Sequence, residues 1–296
     1  MKSIFITGSS GFVGKSILSY FTRKYVFFNY YKNDQINIQH DIVLHFAGKA
    51  HDLKYTNKIQ DYYINNTELT KIIFDRFIES EAKVFITLSS VKAIADKLDT
   101  ILTEECFPNP NTHYGKSKLL SEQYIISQII PPGKRVYILR PCMIHGPGNK
   151  GNLNLLYNIV SKGLPWPLGE FDNKRSFCSI ENLSFIIQEL IENDQIPSGI
   201  YNIADDDPIS TNELVKLISE SQGKNYFIWN IPKLLIRTFS KFGDVFGLPL
   251  NTERLNKLTE TYIVSNKKIK LVINKMLPLS SKDGLLKTFN SFNNAQ

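Results

Sequence analysis

The 296-residue chain is long enough for one large or two modest domains, and its 42% hydrophobic content supplies a sizeable core. Its three cysteines, Cys106, Cys142 and Cys178, lack metal-ligand spacing and cannot all pair, which excludes a disulfide scaffold and indicates inert thiols in a reducing compartment; we expect no metal site. A formal charge of +7 would attract anions, but the lysines are dispersed without a DNA-reading motif, so we expect no nucleic-acid partner.

The first residues predict a β-strand. The stretch KSIFIT lacks the basic region, long apolar run and cleavage site of a signal peptide. No later stretch has the length and hydrophobicity of a membrane-spanning helix. We therefore expect a cytoplasmic protein without a transmembrane segment.

A glycine-rich turn, TGSSGFVG, follows this strand and opens a helix pattern. Glycines at this point permit a tight turn and bring backbone N–H groups close to a pyrophosphate at the helix N-terminus. The strand before the turn and the helix after it favour a dinucleotide site over a loop of no function. The residues expected to bind the cofactor here are Gly8, Ser10, Gly11, Phe12, Val13 and Gly14.

Strand and helix patterns then alternate. Strands are predicted at YVFFNYY, DIVLHFA, KVFITLSS and RVYILR, and helices at DYYINNTELTKIIFDRFIES and HYGKSKLLSEQYIISQ. This alternation predicts a Rossmann-type α/β fold, with a doubly wound parallel sheet covered by helices on both faces. About nine residues separate the second strand from DIVLHFA, too few for a crossover helix, so the fold is expected to be trimmed there.

The end of the second strand bears on the choice of cofactor. A carboxylate there would hold the adenine ribose hydroxyls and select NAD. The chain has Asp34 for that role, whereas Lys32 would accept a 2'-phosphate. We expect NAD, with NADP as the alternative.

The stretch NTHYGKSKLL places Tyr114 and Lys118 four residues apart, on one face of a helix. Ser89 and Ser90 end the strand KVFITLSS, and the carboxyl ends of parallel strands face the ligand crevice. The ordinary pKa of tyrosine is about 10, and a nearby lysine and a positive nicotinamide would both lower it. The pair alone could be a surface tyrosine on a lysine stem; together with the glycine turn it favours proton transfer coupled to hydride transfer.

The amino-acid composition of the chain changes after RPCMIHGPGNKGN, where glycine and proline become frequent. The stretch GLPWPLGEFDNKRS predicts a loop over a site and the start of a second unit. The helix pattern ENLSFIIQELIEN and the strand GIYNIA are expected to return to the main sheet. We therefore assign 1–150, together with 176–204, to the dinucleotide-binding domain, and 151–175 and 205–296 to a smaller C-terminal α/β substrate domain.

Taken together, the motifs resemble the extended short-chain dehydrogenase/reductases, specifically the branch of nucleotide-sugar epimerases, dehydratases and 4-keto-reductases. The resemblance covers nearly the whole chain, through TGSSGFVG, DIVLHFAG, the helix with Asn66 and Thr70, LSSVKA, NTHYGKSK, LRPCMIHGPG and NKRSFCSIENL. It implies an NAD(P)-dependent enzyme of surface-polysaccharide precursor synthesis that acts at carbon 4 of a UDP-hexose or UDP-N-acetylhexosamine, as 4-epimerase or 4-keto-reductase.

The resemblance also implies roles for individual residues of the dinucleotide-binding domain. Ser90 would hydrogen-bond the substrate oxygen, Tyr114 would be the acid/base, and Lys118 would bind the nicotinamide ribose. Ala47 and Gly48 would line the adenine and ribose side of the cofactor. Asn66 would support the active-site backbone.

On the substrate side, the resemblance implies that Asn152 and Arg175 hold the nucleotide diphosphate. A guanidinium suits this role because its planar fork binds phosphate oxygens in pairs. A surface salt bridge is the alternative for Arg175. For Arg254, a phosphate contact and an exposed helix charge are equally good interpretations.

Several positions depart from the family pattern. Met143 and His145 stand where many 4-epimerases have Asn and Tyr, and we expect His145 to be a packed or surface imidazole. Val91 and Lys92 follow Ser90 in place of the acidic residue of the dehydratases, which disfavours dehydration. The stretches after RPC are most similar to enzymes that reduce UDP-4-keto-6-deoxy-N-acetylhexosamines or epimerise UDP-N-acetylhexosamines.

Two questions stay open in the sequence. Epimerase and reductase use Ser90, Tyr114 and Lys118 identically, so the triad does not separate them. A dinucleotide-sensing regulatory protein is the alternative from another class, although such proteins generally lose the tyrosine or the lysine. The resemblance further implies a homodimer through the helices DYYINNTELTKIIFDRF and HYGKSKLLSEQYIISQ, whose apolar residues could equally be buried against the sheet.

Overall fold

The computed structural model describes residues 1–31, 34–49, 58–149, 151–247 and 251–293. The chain divides into two compact units. The first comprises Met1–Cys142, Asn182–Ala204 and Val264–Pro278, and the second comprises Met143–Glu181, Asp205–Ile263 and Leu279–Gln296.

The first unit is built on six parallel strands, which the described residues place in the order β2-β1-β3-β4-β5-β8. Their bounds are β1 Ser3–Thr7, β2 Val26–Tyr30, β3 Ile42–His45, β4 Val84–Leu88, β5 Arg135–Pro141 and β8 Gly199–Ile203. The central strands β3 and β4 read IVLH and VFITL and are almost wholly buried. Such runs are typical of parallel strands that are covered on both faces.

Helices of this unit cover the sheet. They are α1 Phe12–Tyr20, α2 Ile59–Tyr62, α3 Leu69–Glu79, α4 His113–Ser127, α6 Ile180–Glu192, which begins in the second unit, and α10 Lys267–Ile273. A π-helical turn, Tyr63–Glu68, joins α2 to α3. Helix α3 buries Phe74 and Phe77 against Phe85 of β4, at ring-centroid distances of 5.0 and 5.2 Å.

The order of the strands locates the ligand crevice. Strand β1 lies between β2 and β3, so the chain adds β2 on one side of β1 and then adds β3 on the other side. Ligands of doubly wound sheets bind at this switch point, beyond the carboxyl ends of the strands. Residues 34–41, which lead into β3, contain no helix, as the short spacing predicted.

The second unit contains a short parallel pair, β6 Met143–His145 and β7 Phe177–Ser179. Its helices are α5 Asn152–Val160, α7 Thr211–Ser221, α8 Lys233–Phe246, α9 Thr252–Thr259 and α11 Ser281–Asn293. Tyr157 of α5 packs on Phe289 and Phe292 of α11 at ring-centroid distances of 6.3 and 5.3 Å. These aromatic contacts form part of the core of the unit.

The division differs from the predicted one at three places. Residues 143–149 and 176–181 were assigned to the first unit but lie in the second, where β6 pairs with β7. The third place is residues 264–278, which the sequence placed with the second unit. They belong to the first because Val264 pairs with Leu102 in an isolated parallel bridge, and because Lys268 of α10 donates to the Ile200 carbonyl of β8 at 3.0 Å. Such a late return has no local signal, since it depends on pairing with strands far away in the chain.

None of the helices in the described ranges combines the length and the apolar composition that crossing a bilayer requires.

Candidate active site

The glycine turn after β1 has the geometry that a dinucleotide needs. Gly8 has φ +73°, and a Cβ there would lie 2.5 Å from the Ala47 nitrogen. A Cβ on Gly14 would lie 2.2 Å from the Gly8 carbonyl oxygen. Only glycine fits at either place, so α1 starts directly over the turn. Gly11 is the N-cap of α1 and no side chain caps it, which fits a pyrophosphate on the N–H groups of Phe12, Val13 and Gly14.

The loop after β3 lies beside this turn. The backbone N–H of Ala47 donates to the Thr7 hydroxyl at 3.1 Å, which ties the ends of β1 and β3 together. A Cβ placed on Gly48 would lie 3.2 Å from Nζ of Lys118 and 2.8 Å from Oδ1 of Asn66. The predicted cofactor residue Gly48 therefore lies next to the predicted catalytic lysine, and Ala47 precedes it in the same loop.

Asn66 holds the backbone of this loop. Its Oδ1 accepts from the Lys49 N–H at 2.7 Å, and its Nδ2 donates to the Lys49 carbonyl at 3.2 Å and to the Ser117 hydroxyl at 2.9 Å. The side chain is fully buried and lies in the π-helical turn. Its amide thus links the loop after β3 to α4, as the predicted supporting role requires.

A buried histidine connects the same elements. Nδ1 of His45 accepts a hydrogen bond from the Thr7 hydroxyl at 2.8 Å, and its Nε2 donates to the Thr70 hydroxyl at 2.9 Å. These directions follow because the Thr70 hydroxyl itself donates to the Asn66 carbonyl at 2.7 Å. Burial, reinforced by the Lys118 charge, lowers the pKa of His45 to about 3. The imidazole is therefore neutral and positions Thr7 and Thr70.

We expect the free energy of unfolding to fall as the pH drops below 6.5, because unfolded His45 binds a proton there and folded His45 does so only near pH 3. At about pH 5 this single group removes about 2 kcal/mol of stability. Urea unfolding at neutral pH and at about pH 5 measures the loss. His45→Gln keeps a hydrogen-bond donor and an acceptor but does not titrate, so its free energy of unfolding is expected to fall less between the two pH values. An equal loss in both proteins would contradict the assignment.

The start of α4 is fixed by an aspartate outside the helix. Thr112 caps the helix by accepting from the Gly115 N–H at 3.2 Å. Asp96 accepts from the backbone N–H groups of Asn111 and Thr112, at 2.7 and 3.1 Å, and from the Thr112 hydroxyl at 3.1 Å. These bonds determine where Tyr114, two residues later, enters the site.

Tyr114 meets Ser90, as the sequence predicted. The two side chains are hydrogen-bonded, and the Tyr62 ring lies edge-on to the Tyr114 ring at a centroid distance of 6.2 Å. Ser90 accepts from the Lys92 N–H at 3.2 Å, which leaves its hydroxyl proton available for the phenol oxygen. The predicted lowering of the tyrosine pKa is not found: burial raises the pKa of Tyr114, and the bond from Ser90 opposes that rise.

Lys118 lies on the same face of α4, one turn further on. Its Nζ donates to the Leu88 carbonyl at the end of β4, at 2.8 Å, and the residue is only 8% exposed. Burial lowers the pKa of Lys118 to about 8, and the negative charge of Glu122 opposes the shift. The ammonium is thus held at the strand end, next to Gly48, where the ribose of a dinucleotide is expected.

Glu122 was missed by the sequence analysis. It continues the i, i+4 series Tyr114, Lys118, Glu122 and is 1% exposed. Arg140 of β5 donates to it from Nε, at 2.9 and 3.1 Å, and from Nη2 at 2.5 Å. Ser89 donates to the same carboxylate, so the two serines separate: Ser90 faces Tyr114 and Ser89 faces Glu122. A glutamate four residues after the lysine was the available signal.

The predicted substrate residues lie in the second unit. Asn152 is exposed at the first turn of α5. Arg175 is partly buried, and its Nη1 donates to the Lys257 carbonyl of α9 at 2.5 Å. Arg254 is exposed on the same helix. Arg175 thus contacts the backbone of α9, and the diphosphate role of Asn152 and Arg175 stays a prediction.

The remaining sequence-based expectations concern side chains outside this cluster. His145 is fully buried, with Nδ1 2.9 Å from the Thr288 hydroxyl and Nε2 3.3 Å from Asp205, so the packed alternative describes it. The carboxylate of Asp34 accepts from the Tyr31 N–H at 2.8 Å. Lys32, the alternative for a 2'-phosphate, lies outside the described residues.

Most of the chain matches a known protein family. The model of the NAD dependent epimerase/dehydratase family covers residues 4–204. The chain is also 29% identical, over 319 aligned residues, to a UDP-glucose 4-epimerase of Vibrio cholerae, with 98% of this chain and 95% of that protein covered.

Solved structures of two Bacillus cereus enzymes are similar in fold. The UDP-N-acetylglucosamine 4-epimerase of Bacillus cereus aligns with a TM-score of 0.76 at 17% identity, over 99% of this chain and 100% of that one. The UDP-glucuronic acid 4-epimerase of the same organism, in complex with NAD, aligns with a TM-score of 0.75 at 16% identity, over 99% of both chains. At these identities the likeness concerns the fold, and it confirms the predicted α/β class with a parallel sheet.

Proposed function

The chain belongs to the NAD-dependent epimerase/dehydratase family, and on that premise we propose that it oxidises and reduces carbon 4 of a nucleotide sugar with bound NAD(P). The proposed substrate is a UDP-hexose or UDP-N-acetylhexosamine, which the enzyme interconverts with its 4-epimer on the way to surface polysaccharide. The Vibrio cholerae relative, which matches nearly the whole chain, is named a UDP-glucose 4-epimerase and supports epimerisation. Reduction of a 4-keto sugar is the alternative.

The observation that carries the proposal is the hydrogen bond between Tyr114 and Ser90, together with the buried ammonium of Lys118 one helical turn away. All three side chains lie at the carboxyl end of β4 or on the helix that follows it, beside the loop after β3. This arrangement offers one proton-transfer group, one hydrogen-bond donor and one fixed cation.

The glycine turn and the Lys118 ammonium would hold the cofactor, which supplies the acceptor and donor of the hydride. With substrate bound, the single proton of the Ser90 hydroxyl would be donated to the oxygen on carbon 4 of the sugar in place of the phenol oxygen of Tyr114. Tyr114 takes the proton of that oxygen as the carbon–hydrogen bond breaks, and returns it when hydride adds back to the opposite face. Burial disfavours the phenolate, and the hydrogen bond from Ser90 opposes that effect. In this proposal the Lys118 ammonium and the bound nicotinamide would favour the phenolate further.

Product analysis tests the proposal. The protein is incubated with UDP-hexoses and UDP-N-acetylhexosamines, and separately with a UDP-4-keto-6-deoxy-N-acetylhexosamine and NADH or NADPH. Interconversion of 4-epimers without net cofactor consumption is the expected result. Stoichiometric cofactor oxidation with the keto sugar would establish the reductase. No turnover of any sugar, with cofactor still bound, would favour the sensor and overturn the proposal.

We also propose a homodimer through α3 and α4. These helices bury Ile73, Phe74 and Ile125, yet they leave Ile72 and Leu120 48 and 43% exposed. Leu120 lines a depression between α4 and the segment formed by the π-helical turn and the start of α3. The polar side chains of Ser117 and Ser121 occupy much of the buried face of α4. Part of the apolar surface of α3 and α4 therefore faces away from the sheet.

Ile72→Lys together with Leu120→Lys is expected to convert the dimer into a monomer, because four cations would be buried in a two-fold interface. Sedimentation at several protein concentrations measures the mass. Phe107→Lys with Ile129→Lys, at residues 89 and 91% exposed elsewhere in the unit, is the matched control and should keep the dimer. A monomeric parent protein would contradict the expectation.

A further inference from the structure

Helix α8 of the second unit exposes a large apolar surface. Its buried residues are Ile236, Ser240 and Gly243. The apolar residues that lie between 50 and 77% exposed are Leu234, Leu235, Phe239, Phe242, Val245 and Phe246. A group of this size on one helix is unusual, since soluble proteins seldom leave large contiguous apolar patches in water unless something binds there.

The exposed residues share one side of the helix. At 3.6 residues per turn, the six exposed apolar side chains span an arc of about 140° around the helix. The three buried residues span an arc of about 60°. The basic residues span an arc of about 80°, which separates the apolar arc from the buried arc on one side of the helix. Those basic residues are Lys233, Arg237 and Lys241. Asp244 lies within the basic arc and accepts from the N–H and hydroxyl of Thr252. The helix thus has an anchored face, an apolar face and a basic edge.

We propose that α8 docks on the surface of an anionic lipid bilayer. An interfacial helix buries an apolar face at the level of the acyl boundary and keeps cations among the head groups, which is the arrangement of the apolar face and basic edge here. The charges are complementary, since anionic lipids attract each lysine and arginine near the surface. The helix lies on the bilayer, because it has 14 residues and too few of them are apolar to cross it.

A second copy of the chain fits this surface less well. In an antiparallel two-fold pair, the same patch is set against itself and the basic edges of the two helices lie on the same side of the interface. Three cations per helix against one carboxylate would then repel across the interface. Lipid phosphates relieve this repulsion, whereas another α8 adds to it.

The test is co-sedimentation of the full chain with vesicles, without substrate or cofactor. We expect binding to equimolar phosphatidylcholine and phosphatidylglycerol, no binding to phosphatidylcholine alone, and weaker binding as salt rises. Phe239→Ser with Phe246→Ser is expected to lower the partition coefficient at least about tenfold. The control Phe107→Ser with Ile129→Ser removes residues of similar exposure outside α8 and should bind like the parent.

Arg237→Gln with Lys241→Gln is expected to weaken binding to anionic vesicles, and Lys97→Gln with Lys267→Gln, on other exposed lysines, to leave it unchanged. Circular dichroism before each assay shows that the variants are folded. Failure of the folded parent to bind anionic vesicles overturns the proposal, as does equal binding by the α8 variant and its control. So does a self-association that the Phe239 and Phe246 substitutions abolish while vesicles have no effect.

Discussion

Tyr114→Phe is expected to lower kcat by about 10²- to 10⁴-fold, the usual contribution of a positioned acid/base. The substitution removes only the hydroxyl that bonds Ser90, while the ring keeps its edge-on contact with Tyr62. The bonds that hold the glycine turn, Ala47 and Lys49 are made by other groups. Cofactor binding should therefore be unchanged, so the loss appears in kcat and not in the dissociation constant of NAD(H).

Steady-state kinetics and cofactor titration measure the two quantities on the same protein. Tyr63→Phe is the matched control, because it removes a neighbouring phenol whose oxygen lies 3.0 Å from Nδ1 of His113, away from Ser90. Its kcat should stay near that of the parent. Full activity in Tyr114→Phe would remove the tyrosine from the chemistry, whereas loss of cofactor binding would assign it a structural role.

Glu122→Gln is expected to lower the free energy of unfolding by about 3–5 kcal/mol, the usual effect of breaking a buried ion pair. Glu122 and Arg140 are 1 and 4% exposed, so the arginine would keep its charge without a counter-ion. The Nη1 atom of Arg140 is already buried without a hydrogen-bond partner. The neutral amide cannot balance the guanidinium, and Ser89 would lose its charged acceptor.

Urea unfolding of single and double variants measures this effect. Glu122→Met with Arg140→Met removes both charges and is expected to be more stable than either single substitution. Glu68→Gln breaks an exposed ion pair with Lys71 and should change stability by less than about 1 kcal/mol. If Glu122→Gln lowered the free energy of unfolding as little as Glu68→Gln, the ion pair between Glu122 and Arg140 would not stabilise the ends of β4 and β5.

The parts of the site that the sequence predicted are those with local spacing. Gly8 and Gly14 are set by the turn between one strand and the next helix, and Tyr114 and Lys118 by one helical turn. Their neighbours could be inferred because parallel strands end at one edge of the sheet. The bond between Tyr114 and Ser90 is such a case.

Features that depend on burial or on distant pairing were not predicted. Glu122 and Arg140 meet through packing of α4 against β5, and neither residue type signals burial, since both are usually exposed. The raised pKa of Tyr114 results from desolvation, which spacing does not show. Helix α8 has an ordinary amphipathic sequence, and only the structure shows that much of its apolar side faces outward.

The most direct test of the account is the fate of hydrogen at carbon 4. A UDP-N-acetylhexosamine or UDP-hexose carrying deuterium on that carbon is converted by the parent protein, and the product is examined by mass spectrometry. Oxidation and re-reduction at one site predicts a 4-epimer that retains the deuterium, formed by the parent and at most in traces by Tyr114→Phe. A product that has exchanged the deuterium for solvent hydrogen, or equal product from Tyr114→Phe, would contradict the account.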